Sequence, residues 1–188
     1  MRKPAWLIIP IVLFTSLGIY GIAQSNANDN PQVSKKLQVP TDRRLVFKSP
    51  ARGVQIYTCQ QIPADQAQFE WKLKAPDAKL FDAQGKVVGK HYAGPTWEAN
   101  DGSKIVAVVT AKEQAPNGSI PWLLLQVKSA TGNGKFTNIK WVQRLNTTNG
   151  IPSPECNRDR LNTEISIPYT ADYYFYSSKE NRRSSAKN

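Results

Sequence analysis

The sequence predicts an all-β fold, a single antiparallel sandwich or barrel of about ten strands. Three observations carry this. Between Val39 and Tyr176 the dominant hydrophobic period is two. Turn residues, among them 13 Pro and 11 Gly, punctuate the chain at the spacing of short strands. After the N-terminal apolar stretch no ten-residue segment keeps a helical period. The 188 residues are 40% hydrophobic and 10% aromatic, which supports a packed core and excludes disorder along the whole chain. The length fits one domain.

The first element is a leader. Arg2 and Lys3 precede an apolar run from Leu7 to Phe14, and small residues (Gly21 with Ala23, Ser25 with Ala27) fit the cleavage pattern of a signal peptide. Residues 1–27 are read as that peptide, which makes the chain secreted or periplasmic. The alternative is a retained N-terminal membrane anchor, since Pro4 to Ala23 is about long enough to span a bilayer. Residues 28–38 are polar and read as a flexible linker, 39–176 as the β domain, and 177–188 as a disordered basic tail.

Within the domain, Gly53 to Gln60 is rich in β-branched and aromatic residues. Phe69-Glu70-Trp71-Lys72-Leu73-Lys74 alternates, with Phe, Trp and Leu expected inward. Asp82-Ala83-Gln84-Gly85, Asn100-Asp101-Gly102 and Thr131-Gly132-Asn133-Gly134 are turns, because Asn, Asp and Gly tolerate positive φ. Ile105 to Thr110 and Ile120 to Val127 are apolar on both faces and read as central strands covered on both sides. In 136–145, Thr137, Ile139, Trp141 and Leu145 fall on one face, with Asn138, Lys140 and Arg144 on the other. One helical turn fits 155–163, and Ala171 to Tyr176 forms a closing strand.

Export would bring Cys59 and Cys156, 97 positions apart, into a disulfide, stabilising the fold by roughly 4–5 kcal/mol in the chain-entropy model. Reactive or inert thiols are the alternatives, the first weakened by the absence of CxxC and by the single His.

Known chemical motifs are absent. One His and two Cys exclude multi-histidine metal sites, zinc ribbons and iron–sulfur centres, so no metal and no cofactor is expected. Gly132-Asn133-Gly134 lacks the third glycine of a dinucleotide fingerprint, and Gly85 to Lys90 is one residue short of a P-loop. The densest segment is Gly89 to Lys104. There His91, Tyr92, Trp97, Glu98 and Asp101 are the candidate ligand-binding residues, with aromatic faces, hydrogen-bonding groups and a Gly94-Pro95 bend. The structural reading of the same residues is a corner: Trp97 packs in the core and Asp101 holds a hairpin. The formal net charge of +11 is spread without a nucleic-acid motif. It suits cell-wall or other anionic polysaccharide better than nucleic acid, or serves solubility alone.

A series of phrases in order carries a resemblance: Arg44-Leu45-Val46-Phe47, Gly53-Val54-Gln55-Ile56-Tyr57-Thr58-Cys59, Ala75-Pro76-Asp77-Ala78-Lys79-Leu80-Phe81-Asp82, His91-Tyr92-Ala93-Gly94-Pro95-Thr96-Trp97-Glu98, Ile120-Pro121-Trp122-Leu123-Leu124-Leu125 and Tyr169 to Tyr176. Over roughly 39–176 the chain resembles the domain of unknown function 3455 family of exported proteins. The resemblance implies a single secreted domain with a late second cysteine like Cys156, and no established activity. The dehydrogenase-type name borne by some relatives finds no fingerprint here. Two functions are weighed: a non-catalytic domain binding a small ligand or an anionic envelope surface, and a hydrolase acting on carbohydrate or a small ester through Glu98 or His91. A domain that binds a partner through an exposed strand edge is a third.

Overall fold

The structure, a computed structural model, describes residues 31–179. Residues 1–27, read as a leader, and residues 180–188 of the stretch read as a disordered tail lie outside the described residues, whereas Ser177 and Ser178 of that stretch are in the last strand, Ser177 buried. Eight antiparallel strands follow one another: β1 (Arg43–Ile62), β2 (Asp65–Phe81), β3 (Val87–Tyr92), β4 (Thr96–Ala99), β5 (Lys104–Glu113), β6 (Trp122–Thr131), β7 (Ile139–Asn149) and β8 (Glu164–Ser178). Each pairs with the next, and β8 returns to β1, so the sheet closes into a barrel. The all-β, antiparallel expectation holds.

Eight strands replace about ten because prolines do not end strands here. Pro50 precedes the β1–β2 ladder, which begins at Ala51↔Leu80; there β1 pairs only with β8. Pro76 lies where β2 pairs with β1 alone, ahead of the β2–β3 ladder starting at Ala78↔His91. Pro168 lies outside the β7–β8 ladder, which ends at Asn149↔Tyr169. A missing N–H is tolerated where one side of a strand is open, so β1 runs for 20 residues and β2 for 17.

The expected turns form. The Asp82 carboxylate accepts from the Gln84 and Lys86 amides, and Gly85 takes φ 78°. Asp101 accepts from the Ser103 amide and hydroxyl, with Gly102 at φ 84°. The helical turn in 155–163 is a 3-10 turn, Arg158–Arg160.

The interior is packed by Leu80, Ile105, Leu125, Val142 and Tyr169, among others. One end is plugged by rings: Phe47 stacks on Phe175 at 4.6 Å, and Phe136 approaches Phe175 at 5.0 Å. A second apolar cluster lies outside the barrel wall. There Leu37, fully buried in a 3-10 turn (Lys35–Leu37), packs with Leu124, Leu145, Tyr174 and Tyr176. From residue 31 onward the stretch read as a flexible linker is thus laid against β5–β8, with Ser34 Oγ donating to Glu113 and Leu37 beside Ala111. It also receives a hydrogen bond from Gln143 Nε2 to the Leu37 carbonyl. This cover explains why β6 is apolar on both faces. β5 is different: Val108 and Val109 are exposed, so the expectation of two-sided cover fails there.

Cys59 on β1 is bonded to Cys156 in the long β7–β8 connection. The same connection is tied to the β1–β2 arm by Trp71 Nε1 donating to the Pro154 carbonyl, at 2.7 Å, and by Tyr57 Oη donating to that of Gly150, also 2.7 Å.

Candidate functional site

The barrel wall is uneven. β3 has six residues and β4 four, against ten to twenty in the other strands. Where β3 and β4 stop, the wall is notched, and the Ala93-Gly94-Pro95 turn forms one lip. Behind this notch lies a cavity of about 480 Å³, within the range of small-molecule sites. Leu73, Pro76, Val109 and Leu123 line it, with His91 and Trp97 deeper inside. Leu73 and Val109 are each 48% exposed. The sequence pattern placed Leu73 inward; it stands at the rim instead, because β2 has no second neighbour at that height.

Period-two alternation divides the predicted site residues between the two faces of the β3–β4 hairpin. His91 pairs with Trp97, and both point into the barrel, 3% and 1% exposed. Their rings stack at 4.4 Å, with Tyr173 edge-on at 5.0 Å from His91. Tyr92 and Glu98 lie on the outer face. The Tyr92 hydroxyl donates to Glu98 at 2.6 Å, and Lys90 stands 3.4 Å from the same carboxylate. These contacts, the Tyr92 bond foremost, hold the Glu98 carboxyl below its usual range. Asp101 belongs to neither group. It sits at the β4–β5 turn, where its second oxygen accepts from the Lys135 amide at 2.8 Å. A Cβ on Gly134 would fall 2.4 Å from that carboxylate, so Asp101 is a clasp between two loops. The five candidates therefore do not converge on one cavity; only His91 and Trp97 enter it.

His91 Nδ1 donates to the Thr96 carbonyl at 2.8 Å, which fixes the neutral tautomer with Nε2 unprotonated. Burial, with the Arg144 charge adding to it and the Thr96 hydrogen bond opposing it, drives its pKa down to about 3. The ring is an uncharged wall of the cavity throughout the physiological range.

Three further residues complete the site. Arg144, 8% exposed, lines the cavity, and its Nε and Nη2 both donate to the Pro121 carbonyl, at 3.1 and 2.8 Å. The ion pairs among the described residues are Arg43–Asp42, Lys48–Asp172, Lys74–Glu164 and Lys90–Glu98, so Arg144 shares in none of them. Gln55, 1% exposed, also lines the cavity, and its Nε2 is buried without a hydrogen-bond partner. Tyr173 is the third; desolvation pushes its phenol up.

Sequence reasoning missed Arg144 for an identifiable reason. The β7–β8 register slips between Ile139 and Trp141, where one residue, Lys140, is extra. Ile139 is in the interior cluster, whereas Trp141 and Leu145 are in the outer one. A bulge of one residue exchanges the faces of everything that follows, which sends Arg144 inward.

The family model described as "Protein of unknown function (DUF3455)" matches residues 40–177. The chain belongs to this family. The match spans the whole barrel, including the notch, the cavity and both cysteines, and it leaves out Leu37. No curated protein and no solved structure matches the chain.

Proposed function

We propose that this DUF3455 protein is an exported, non-catalytic barrel that binds a small, largely apolar ligand in the notch cavity. The observation that carries this reading is the lining itself. The cavity is walled mainly by Leu, Val, Pro and aromatic side chains, with Gln55, Lys74, Lys112 and Arg144 among them, and opens between two exposed apolar residues, Leu73 and Val109. Among the described residues its lining contains no Ser, Thr, Cys, Asp or Glu, so it offers no serine, threonine or cysteine nucleophile and no carboxyl acid or base. The hydrolase reading loses its support on the same ground: His91 and Glu98 occupy opposite faces of one hairpin, and a buried imidazole with a pKa of about 3 is a poor base at neutral pH.

The Cys59–Cys156 bond is consistent with an extracellular or periplasmic location. The net charge of +11 supports attraction to anionic envelope polymers as an accessory property, sensitive to salt.

The test is direct binding of N-phenyl-1-naphthylamine, a neutral apolar fluorophore. One molecule should bind per chain with enhanced emission. Leu123→Trp, which adds volume inside the lining, should weaken it at least tenfold. Absence of binding, or binding unmoved by Leu123→Trp, overturns the reading.

A further inference from the structure

Arg144 is a permanently charged group held almost out of water. Its guanidinium meets the Pro121 carbonyl and lies against the Tyr173 phenol, both uncharged, and it meets no carboxylate among the described residues. A buried cation without a counter-charge is costly, and a carbonyl and a phenol leave part of its five donors and all of its charge unmatched. Gln55 adds a buried amide donor with no acceptor, and Trp97 adds an unpartnered indole N–H. All three residues line the same cavity. So does Lys112, while Lys74, also in the lining, is already paired with Glu164. The lining has donors in excess and no acid, and its remaining surface is apolar.

From this juxtaposition we infer that the ligand is an organic anion: a singly charged carboxylate, bound by Arg144 and Gln55, on an apolar body that fills the space between His91–Trp97 and the Leu73–Val109 rim. This rests on the cavity being the binding site. A carboxylate accepts two parallel N–H bonds from a guanidinium and supplies the acceptor that Gln55 Nε2 lacks. The neighbouring groups agree in sign. His91 stays neutral, so it neither repels the guanidinium nor competes for the anion, and Tyr173 stays a protonated phenol able to donate. A cationic or zwitterionic guest would set its ammonium against Arg144 and Lys112 with no carboxylate in the lining to receive it.

The experiment is competition against bound N-phenyl-1-naphthylamine by octanoate, octanol and octylammonium, matched in chain length. Octanoate should displace the probe at a concentration at least tenfold below octanol, with octylammonium weakest, as expected for a charge-assisted hydrogen bond in a desolvated site. Arg144→Met should bring octanoate and octanol to parity while the probe still binds. Gln55→Leu, which keeps the guanidinium, should weaken octanoate several-fold and leave octanol unchanged. Should Arg144→Met fail to fold, Gln55→Leu and the three-ligand order decide. Equal competition by octanoate and octanol in the wild-type protein, or a preference that survives loss of both donors, overturns the inference and leaves the cavity reading standing. Absence of probe binding sinks the cavity reading, and the inference with it.

Discussion

His91 is the one imidazole of the chain, and its surroundings make a pH prediction with a definite sign. Its ordinary pKa is 6.5, and in the folded barrel it falls to about 3 through burial. As pH drops below 6.5 the unfolded chain takes up a proton that the folded chain refuses. Stability is therefore present in full above pH 6.5 and is lost as pH falls toward 3, by about 1.4 kcal/mol per unit. Between pH 6.5 and 5 few carboxyl groups titrate, so the slope there belongs to His91. Denaturant midpoints of wild type at pH 7 and 5 should differ clearly. In His91→Phe, which keeps a ring against Trp97, the difference should nearly vanish. Parallel loss in both proteins would count against an uncharged, buried imidazole. At this scale the sequence was half legible. It singled out His91 and Trp97 by residue type and neighbourhood, and it grouped them with Tyr92, Glu98 and Asp101, which lie elsewhere. Proximity along the chain says little across a hairpin, because adjacent residues take opposite faces.

Among the elements, alternation was readable wherever strands were regular. It failed where a ladder slipped or a strand lost a neighbour. The extra residue at Lys140 reverses the faces of β7, and the early end of β3 turns Leu73 from a core residue into a rim residue. Neither event has a local signature strong enough to be read from one sequence. The stretch before β1 is the other case. Its polar composition suggested a linker, yet it brings Val33, Leu37 and Val39 onto the outer face of β5–β8. Burying a leucine of this kind stabilises by about 1.5–3 kcal/mol. Leu37→Ala should cost about 2–4 kcal/mol, somewhat more than transfer alone because a hole remains under the Tyr176 and Leu124 side chains. Urea unfolding of that variant, and of a chain begun at residue 40 beside one begun at residue 31, measures the contribution. Equal midpoints for the two lengths would show the segment to be dispensable.

For the molecule as a whole, closure of the ring and its crosslink matter most. The Cys59–Cys156 bond closes a loop of 97 positions, which in the chain-entropy model is worth about 4–5 kcal/mol. The hydrogen bonds from Trp71 and Tyr57 hold the same connection without it. A Cys59→Ser, Cys156→Ser double variant should remain folded but unfold at markedly lower guanidinium concentration, and added reductant should shift the wild type and not the variant. A variant as stable as the oxidised wild type would mean that the bond confers no stability. The pairing was legible from cysteine count and presumed export, and the ring from period two; closure rather than a two-layer sandwich was not, because strand order leaves no trace in hydropathy.

The notch has a consequence for how copies of this chain meet. Along residues 65–77 β2 is bonded on one side only, leaving a row of main-chain donors and acceptors beside an oily opening. Such a rail invites a second chain to add itself strand to strand. Pro76 removes one donor from it, and the exposed charged side chains of Asp65, Glu70 and Lys72 stand along the strand, which keeps neighbours off while a small guest can still slip past.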